Sequence, residues 1–191
     1  MISLKLIVGI TGASGIIYGI RLLDYLKNRQ EIETFLVISE GAKKVIELET
    51  NFKIDEIKKL ADHYYNEDDF TAPIASSSFL VDGMVIIPAS MKTLAAMSHG
   101  FNNNLITRAA DNILRLKKPL VIVPRETPLS PIHLENMLRL SQNGAIILPA
   151  CPGFYTKPKR LEDLIDFIVG KVLDALGINH DLYRRWGEKL E

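Results

Sequence analysis

Five short runs, KLIVGI, ETFLVIS, MVIIP, PLVIVP and AIILPA, are apolar almost from end to end and rich in Val and Ile, with longer segments of helical spacing between them. A strand that is apolar on both faces needs cover on both sides, so such runs suit a parallel sheet between two helical layers. The intervening segments supply that cover as crossover helices. They are expected at about 16–28, 40–49, 90–98, 104–117, 131–142 and 161–176. The one long irregular stretch, DHYYNEDDFTAPIASSSFL at residues 62–80, reads as a surface excursion.

The whole chain, 1–191, therefore reads as one α/β domain of three-layer, Rossmann-like form with a mostly parallel sheet. Right-handed crossovers bring the loops TGASG, SEGA, PASMKT, PRETPLS and PACPGFY to one edge of that sheet, where open α/β folds bind their ligands. In the first loop Gly9, Gly12 and Gly15 are spaced GxxGxxG between a strand and a helix start. Glycines allow positive φ and close backbone approach, and the free N–H groups of a helix start attract an anion. A nucleotide phosphate is the expected guest, with the Ser14 hydroxyl as a further donor. The other reading, in which the glycines only pack helix against strand, stays open, because the spacing is not the GxGxxG of dinucleotide sites.

Charge and composition narrow the function classes. Lys+Arg and Asp+Glu both number 23, so there is no global attraction for nucleic acid or an anionic membrane. No apolar run reaches the roughly 18 residues of a membrane span and no signal-peptide pattern opens the chain, so a cytoplasmic location is expected. The single cysteine, Cys151, excludes an internal disulfide and reads as a small buried filler. His63, His99, His133 and His180 are scattered, and no Asp/Glu cluster has the spacing of a magnesium–diphosphate site, so no metal is expected.

Tyr155 and Lys159 form a Tyr-x-x-x-Lys pair that invites comparison with short-chain dehydrogenases. Those enzymes need the pair one turn apart on a helix. Here Pro152 and Gly153 precede it and Pro158 lies inside it, which excludes that geometry.

The segments TGASG, ISEGA, LET, NNLITRAADNILR, PLVIVPRETPLSPIHLENMLRLSQNGAIILPACPGFY and RWGE together resemble the UbiX-type flavin prenyltransferases, from about Leu6 to Glu188. The resemblance implies a flavoprotein fold. It also implies an enzyme that joins a dimethylallyl group from dimethylallyl monophosphate to N5 and C6 of reduced FMN, making a prenylated flavin for a UbiD-type decarboxylase. Matched motif by motif, Gly12, Ala13, Ser14, Ser39, Ser90, Met91, Lys92, Thr93 and Arg125 would bind FMN. Tyr155, Lys171, Arg108 and Arg115 would hold the allylic phosphate. Glu49, Ser14, Glu126 and Arg115 would serve the chemistry. Lysine is expected where Arg115 stands and arginine where Lys171 stands, and the two cations grip phosphate differently.

The resemblance further implies a homo-oligomer, a dodecamer in relatives, with sites at subunit junctions. The tail from about residue 178 to 191 would pack at the site or at a subunit interface. PASMKT also resembles the flavin loop of cysteine decarboxylases, so an FMN-dependent decarboxylase of that type, or of the aromatic-acid type, is the alternative. The substrate clamp and catalytic histidine of the cysteine decarboxylases are missing.

Overall fold

The structure, a computed structural model, describes residues 4–187, so Glu188 of RWGE and the end of the expected tail lie outside it. The apolar runs form β1 (Leu4–Ile10), β2 (Ile32–Ile38), β4 (Gly83–Ala89), β5 (Leu120–Pro124) and β6 (Ile146–Ile147). The helical segments form α1 (Ile16–Leu26), α2 (Glu40–Glu49), α4 (Met91–Ser98), α5 (Leu105–Arg115), α6 (Pro131–Gln142) and α7 (Leu161–Ala175). Three elements differ from the expectation: α3 (Ile54–Lys58), β3 (His63–Asn66) and a 3-10 turn at Pro73–Ala75.

The excursion at 62–80 is thus corrected at its start, which adds an edge strand to β2. Its sequence, HYYN, has no apolar face to announce it. Tertiary contacts hold it instead. The His63 ring stacks on Phe35 at 4.7 Å, and the Asp62 carboxylate accepts hydrogen bonds from the Thr34 N–H and hydroxyl, both at 2.8 Å. AIILPA shrinks to two residues because Pro149 interrupts the ladder, although the Leu148 and Ala150 N–H groups still reach the Ile122 and Pro124 carbonyls.

All six strands pair in parallel in the order β3-β2-β1-β4-β5-β6. The chain runs outward from β1 to one edge and then restarts at β4 toward the other. The loops after β1 and β4 diverge there, and this reversal opens a crevice at the carboxyl ends of the strands.

Alternate strand residues feed two cores. Leu6, Val8 and Ile10 join α1, α2, α3 and α7 on one face. Ile7, Met84 and Ile86 join α4, α5 and α6 on the other. In α7 the buried stripe is Ile165, Phe167, Ile168, Val169, Val172 and Leu173, with Leu164 only half-buried. Cys151 is exposed, against the expectation of a buried filler. Tyr155 to Lys159 lie in a turn and irregular chain with Lys157 at φ 54, so that pair is not on a helix.

Candidate active site

The first turn after β1 has two uses for its glycines. Gly15 sits at φ 93, a conformation that favours glycine. Gly12 lies against the backbone of Gly41, where a Cβ would stand 2.9 Å from the Gly41 carbonyl carbon. Gly12 thus lets the turn pack closely on the start of α2. At the start of α1 the Glu49 carboxylate accepts the Gly15 N–H at 2.8 Å and the Ile16 N–H at 3.4 Å. Those two amides are used by the last residue of α2.

Glu49 is exposed yet engaged. Partial burial opposes its ionisation, but hydrogen bonds from the Ser14 hydroxyl and the Gly15 and Ile16 N–H groups, with the Arg125 charge nearby, hold its carboxyl below the ordinary value. Arg125, at the end of β5, donates from Nε to the Ser14 carbonyl at 3.2 Å and so joins the β5 loop to the β1 turn.

Two further strand ends border this crevice. Ser39 caps α2 by accepting the Ala42 N–H, and Ser90 caps α4 by accepting the Thr93 N–H. The other first-turn amides of α4 have no acceptor within the helix. Thr93 is buried, Met91 is half-buried and Lys92 is exposed. Thr11, which the motif reading passed over, fastens the two switch-point loops. Its buried hydroxyl donates to the Pro88 carbonyl at 2.9 Å and accepts the Ser90 N–H at 2.8 Å. Its place directly before TGASG's first glycine was the only available signal.

Beside Arg125 a cavity of ≈ 230 Å³ opens between the β5 and β6 loops, walled by Pro124, Leu129, Met137 and Pro149, with Glu126 and Cys151 at its lining. Ser39, Ser90 and Arg125 place hydroxyl and cationic groups at the strand ends, and Arg125 also lines the apolar cavity, a set that fits an anionic group attached to a flat ring. Glu126 is exposed and its Oε1 accepts the Thr127 N–H at 3.0 Å.

The four residues expected at one phosphate fall into two groups. Tyr155 packs edge-on against Phe167 at 5.8 Å and Trp186 at 5.1 Å, and Lys171 Nζ stands over Phe167 at 5.7 Å, so these two share one aromatic surface. Arg108 and Arg115 lie on α5, on the opposite face of the sheet. Arg108 Nε donates to the Ala75 carbonyl at 3.0 Å. Arg115 pairs with Asp111 at 3.1 Å, lining a separate cavity with Ser98 and Asn143. Within one chain the sheet stands between the two groups.

Among the described residues no group of three His, Cys, Asp or Glu could hold a metal ion, and no helix is long and apolar enough to cross a membrane.

A parallel sheet with a glycine turn, serine caps and an arginine at its switch point defines a protein that binds a phosphorylated ring compound in the strand-end crevice. The Flavoprotein family model matches residues 2–173, and the chain belongs to that family, among its UbiX-type flavin prenyltransferases. The flavin prenyltransferase UbiX of Methanocaldococcus jannaschii is 53% identical over 184 residues, 96% of this chain and 99% of that one. AnUbiX, solved in complex with FMN and dimethylallyl pyrophosphate, superposes with a TM-score of 0.95 at 44% identity, covering 98% of this chain and 100% of its own. A dodecameric FMN-dependent UbiX-like decarboxylase from Escherichia coli O157:H7 gives a TM-score of 0.94 at 48% identity, covering 96% and 99%. The peptidyl-cysteine decarboxylase EpiD shares the fold alone, at 19% identity and a TM-score of 0.66.

Proposed function

We propose that this chain joins the dimethylallyl group of dimethylallyl monophosphate to N5 and C6 of reduced FMN. The observation that carries the reading is the joining of Ser14, Glu49 and Arg125 at the switch point, beside the apolar cavity of the β5 loop. The near-complete coverage by flavin prenyltransferases supports it.

Bound reduced FMN supplies the nucleophile and a π face. Gly12, Ala13, Ser14, Ser39, Ser90, Met91, Lys92, Thr93 and Arg125 are the residues we assign to hold it. Breaking an allylic C–O bond creates a cation-like carbon and a phosphate anion, and preorganised charges of opposite sign stabilise both. Glu49, held ionised by its donors, is assigned to the carbon. Tyr155 and Lys171 are assigned to the phosphate, together with Arg108 and Arg115 from a second copy of the chain, since the sheet keeps them apart within one. Glu126, with the leaving phosphate, is assigned the proton transfers of ring closure.

The product would serve a UbiD-type decarboxylase, in the cytoplasm, from a dodecamer of single-domain subunits. The dodecameric Escherichia coli relative supports the assembly.

The test is mass spectrometry of the flavin after anaerobic incubation of the protein with reduced FMN and dimethylallyl monophosphate. A gain of one C5H8 unit is expected. Unmodified FMN at full occupancy of both ligands would overturn the reading, and release of carbon dioxide from an aromatic acid or a peptidyl cysteine would favour the decarboxylase alternative.

A further inference from the structure

Lys171 carries its charge into a setting that nothing in the assignments above explains. Its Nζ stands over two rings, Phe167 at 5.7 Å and Tyr183 at 5.2 Å, and among the described residues no carboxylate lies within ion-pair distance of it. An ammonium is a point charge on a flexible stem and lacks the planar fork with which a guanidinium fixes its own direction. A lysine that must meet a phosphate therefore gains from an external restraint, and the faces of two rings provide one.

Phe167 is part of α7, but Tyr183 comes from the tail, and its position is built with care. Gly170 makes room for it: a Cβ there would stand 2.5 Å from Tyr183 Cδ1 and 2.7 Å from His180 Cε1. The tail thus lies directly on the helix backbone. One turn farther along, Asp174 accepts hydrogen bonds from the Tyr183 hydroxyl, from His180 Nε2 at 3.0 Å and from Arg185 at 2.8 Å. The His180 side chain is fully buried, and its Nδ1 accepts the Leu182 N–H at 3.2 Å, which leaves Nε2 as the donor to Asp174. Burial, then Asp174, pushes the Tyr183 hydroxyl well above its ordinary range, so it remains a donor at neutral pH. The Tyr183 ring also packs on Phe167 at 4.9 Å, which in turn meets Tyr155 at 5.8 Å. One aromatic row links the tail to both residues assigned to the phosphate.

We propose that Tyr183 is a positioning residue that directs the Lys171 ammonium toward the phosphate of the prenyl donor, and that Asp174 holds Tyr183 in place for this. The inference rests on the proposed function and deepens it, since it makes the tail a determinant of donor affinity while leaving the flavin to the β1, β2, β4 and β5 loops.

The experiment is a pairwise cycle in the full-length protein, reading KM for dimethylallyl monophosphate at saturating reduced FMN. Tyr183→Leu should raise KM by about 3- to 10-fold with FMN affinity unchanged. Tyr183→Phe, which keeps the ring but loses its hydrogen bond to Asp174, should fall between the wild type and Tyr183→Leu. In a Lys171→Met background Tyr183→Leu should add nothing, because the group it directs has gone. An equal rise of KM in both backgrounds, or no rise in either, overturns the inference. Should Tyr183→Leu fail to fold, Asp174→Asn replaces it, with the same dependence on Lys171 expected and its absence equally fatal. A wild-type protein that leaves FMN unmodified overturns the proposed function and this inference together, whereas an active wild type with Lys171-independent effects overturns only the inference.

Discussion

Replacing Glu49 with glutamine keeps the side chain's size and removes one negative charge from the start of α1. The amide oxygen can still accept the Gly15 and Ile16 N–H groups, now met at 2.8 and 3.4 Å, so the loss is the share that belongs to the charge. A carboxylate at a helix N-terminus contributes ~0.3–1 kcal/mol through the helix dipole, and charge-assisted hydrogen bonds exceed neutral ones. Exposure of the side chain limits the total to about 1 kcal/mol. In a domain of this size that is a fall in Tm of about 2–4 °C. The sign with pH follows from the depressed carboxyl. Its contribution is complete above the ordinary value of 4.5 and is lost as the pH falls through the lower value of the folded state. Wild type should therefore be the more stable protein at pH 7, and the two melting curves should converge as the medium is acidified below 4.5. Catalysis should suffer far more. By comparison with removal of one oxyanion-hole donor, losing the charge opposite the cation-like carbon should slow prenyl transfer by ~10²–10³. The assay is an anaerobic single turnover with reduced FMN already bound, quenched and read by mass spectrometry of the flavin, alongside thermal melts at several pH values. A glutamine variant with the wild-type rate removes Glu49 from the chemistry, and one that also melts like wild type at pH 7 refutes the capping argument too.

Thr11→Val should cost about 1–3 kcal/mol in denaturant unfolding, because it leaves the Ser90 N–H without its buried acceptor. FMN affinity should fall with it; an unchanged unfolding midpoint would show that the switch-point loops do not need this bond. Gly12→Val places a Cβ 2.9 Å from the Gly41 carbonyl carbon, so it should destabilise by about 1–3 kcal/mol and weaken FMN binding in a fluorescence titration. Wild-type affinity in that titration would remove the turn from the flavin site. Arg115→Ala and Lys171→Ala should each raise KM for dimethylallyl monophosphate. Mixed oligomers of the two variants should regain part of the activity, and no recovery would mean that α5 and α7 do not share a site across copies.

Strand and helix content was legible because it depends on local pattern. Among the described residues, Val-Ile runs bounded by glycine, proline and serine form five of the six strands, and the periodic segments between them form six of the seven α-helices. The serine caps of α2 and α4 belong to the same class of signal, since a cap acts on an amide only three residues away. The flavoprotein family was legible in the long PRETPLS-to-PGFY block, which is a matter of residue identity and needs no geometry.

Contacts between distant segments were not legible. HYYN becomes a strand only because Phe35, Glu33 and Thr34 receive it, and nothing in those four residues carries that information. Glu49 and Gly15, 34 positions apart, meet because β2 and α2 return the chain to the β1 turn, a contact that neither segment announces. Arg115 and Lys171 share a sign and an expected ligand, yet a continuous sheet lies between α5 and α7. Side-chain period and residue type specify which face of an element is buried; only the packing of the layers decides which elements, and which charges, come to stand together.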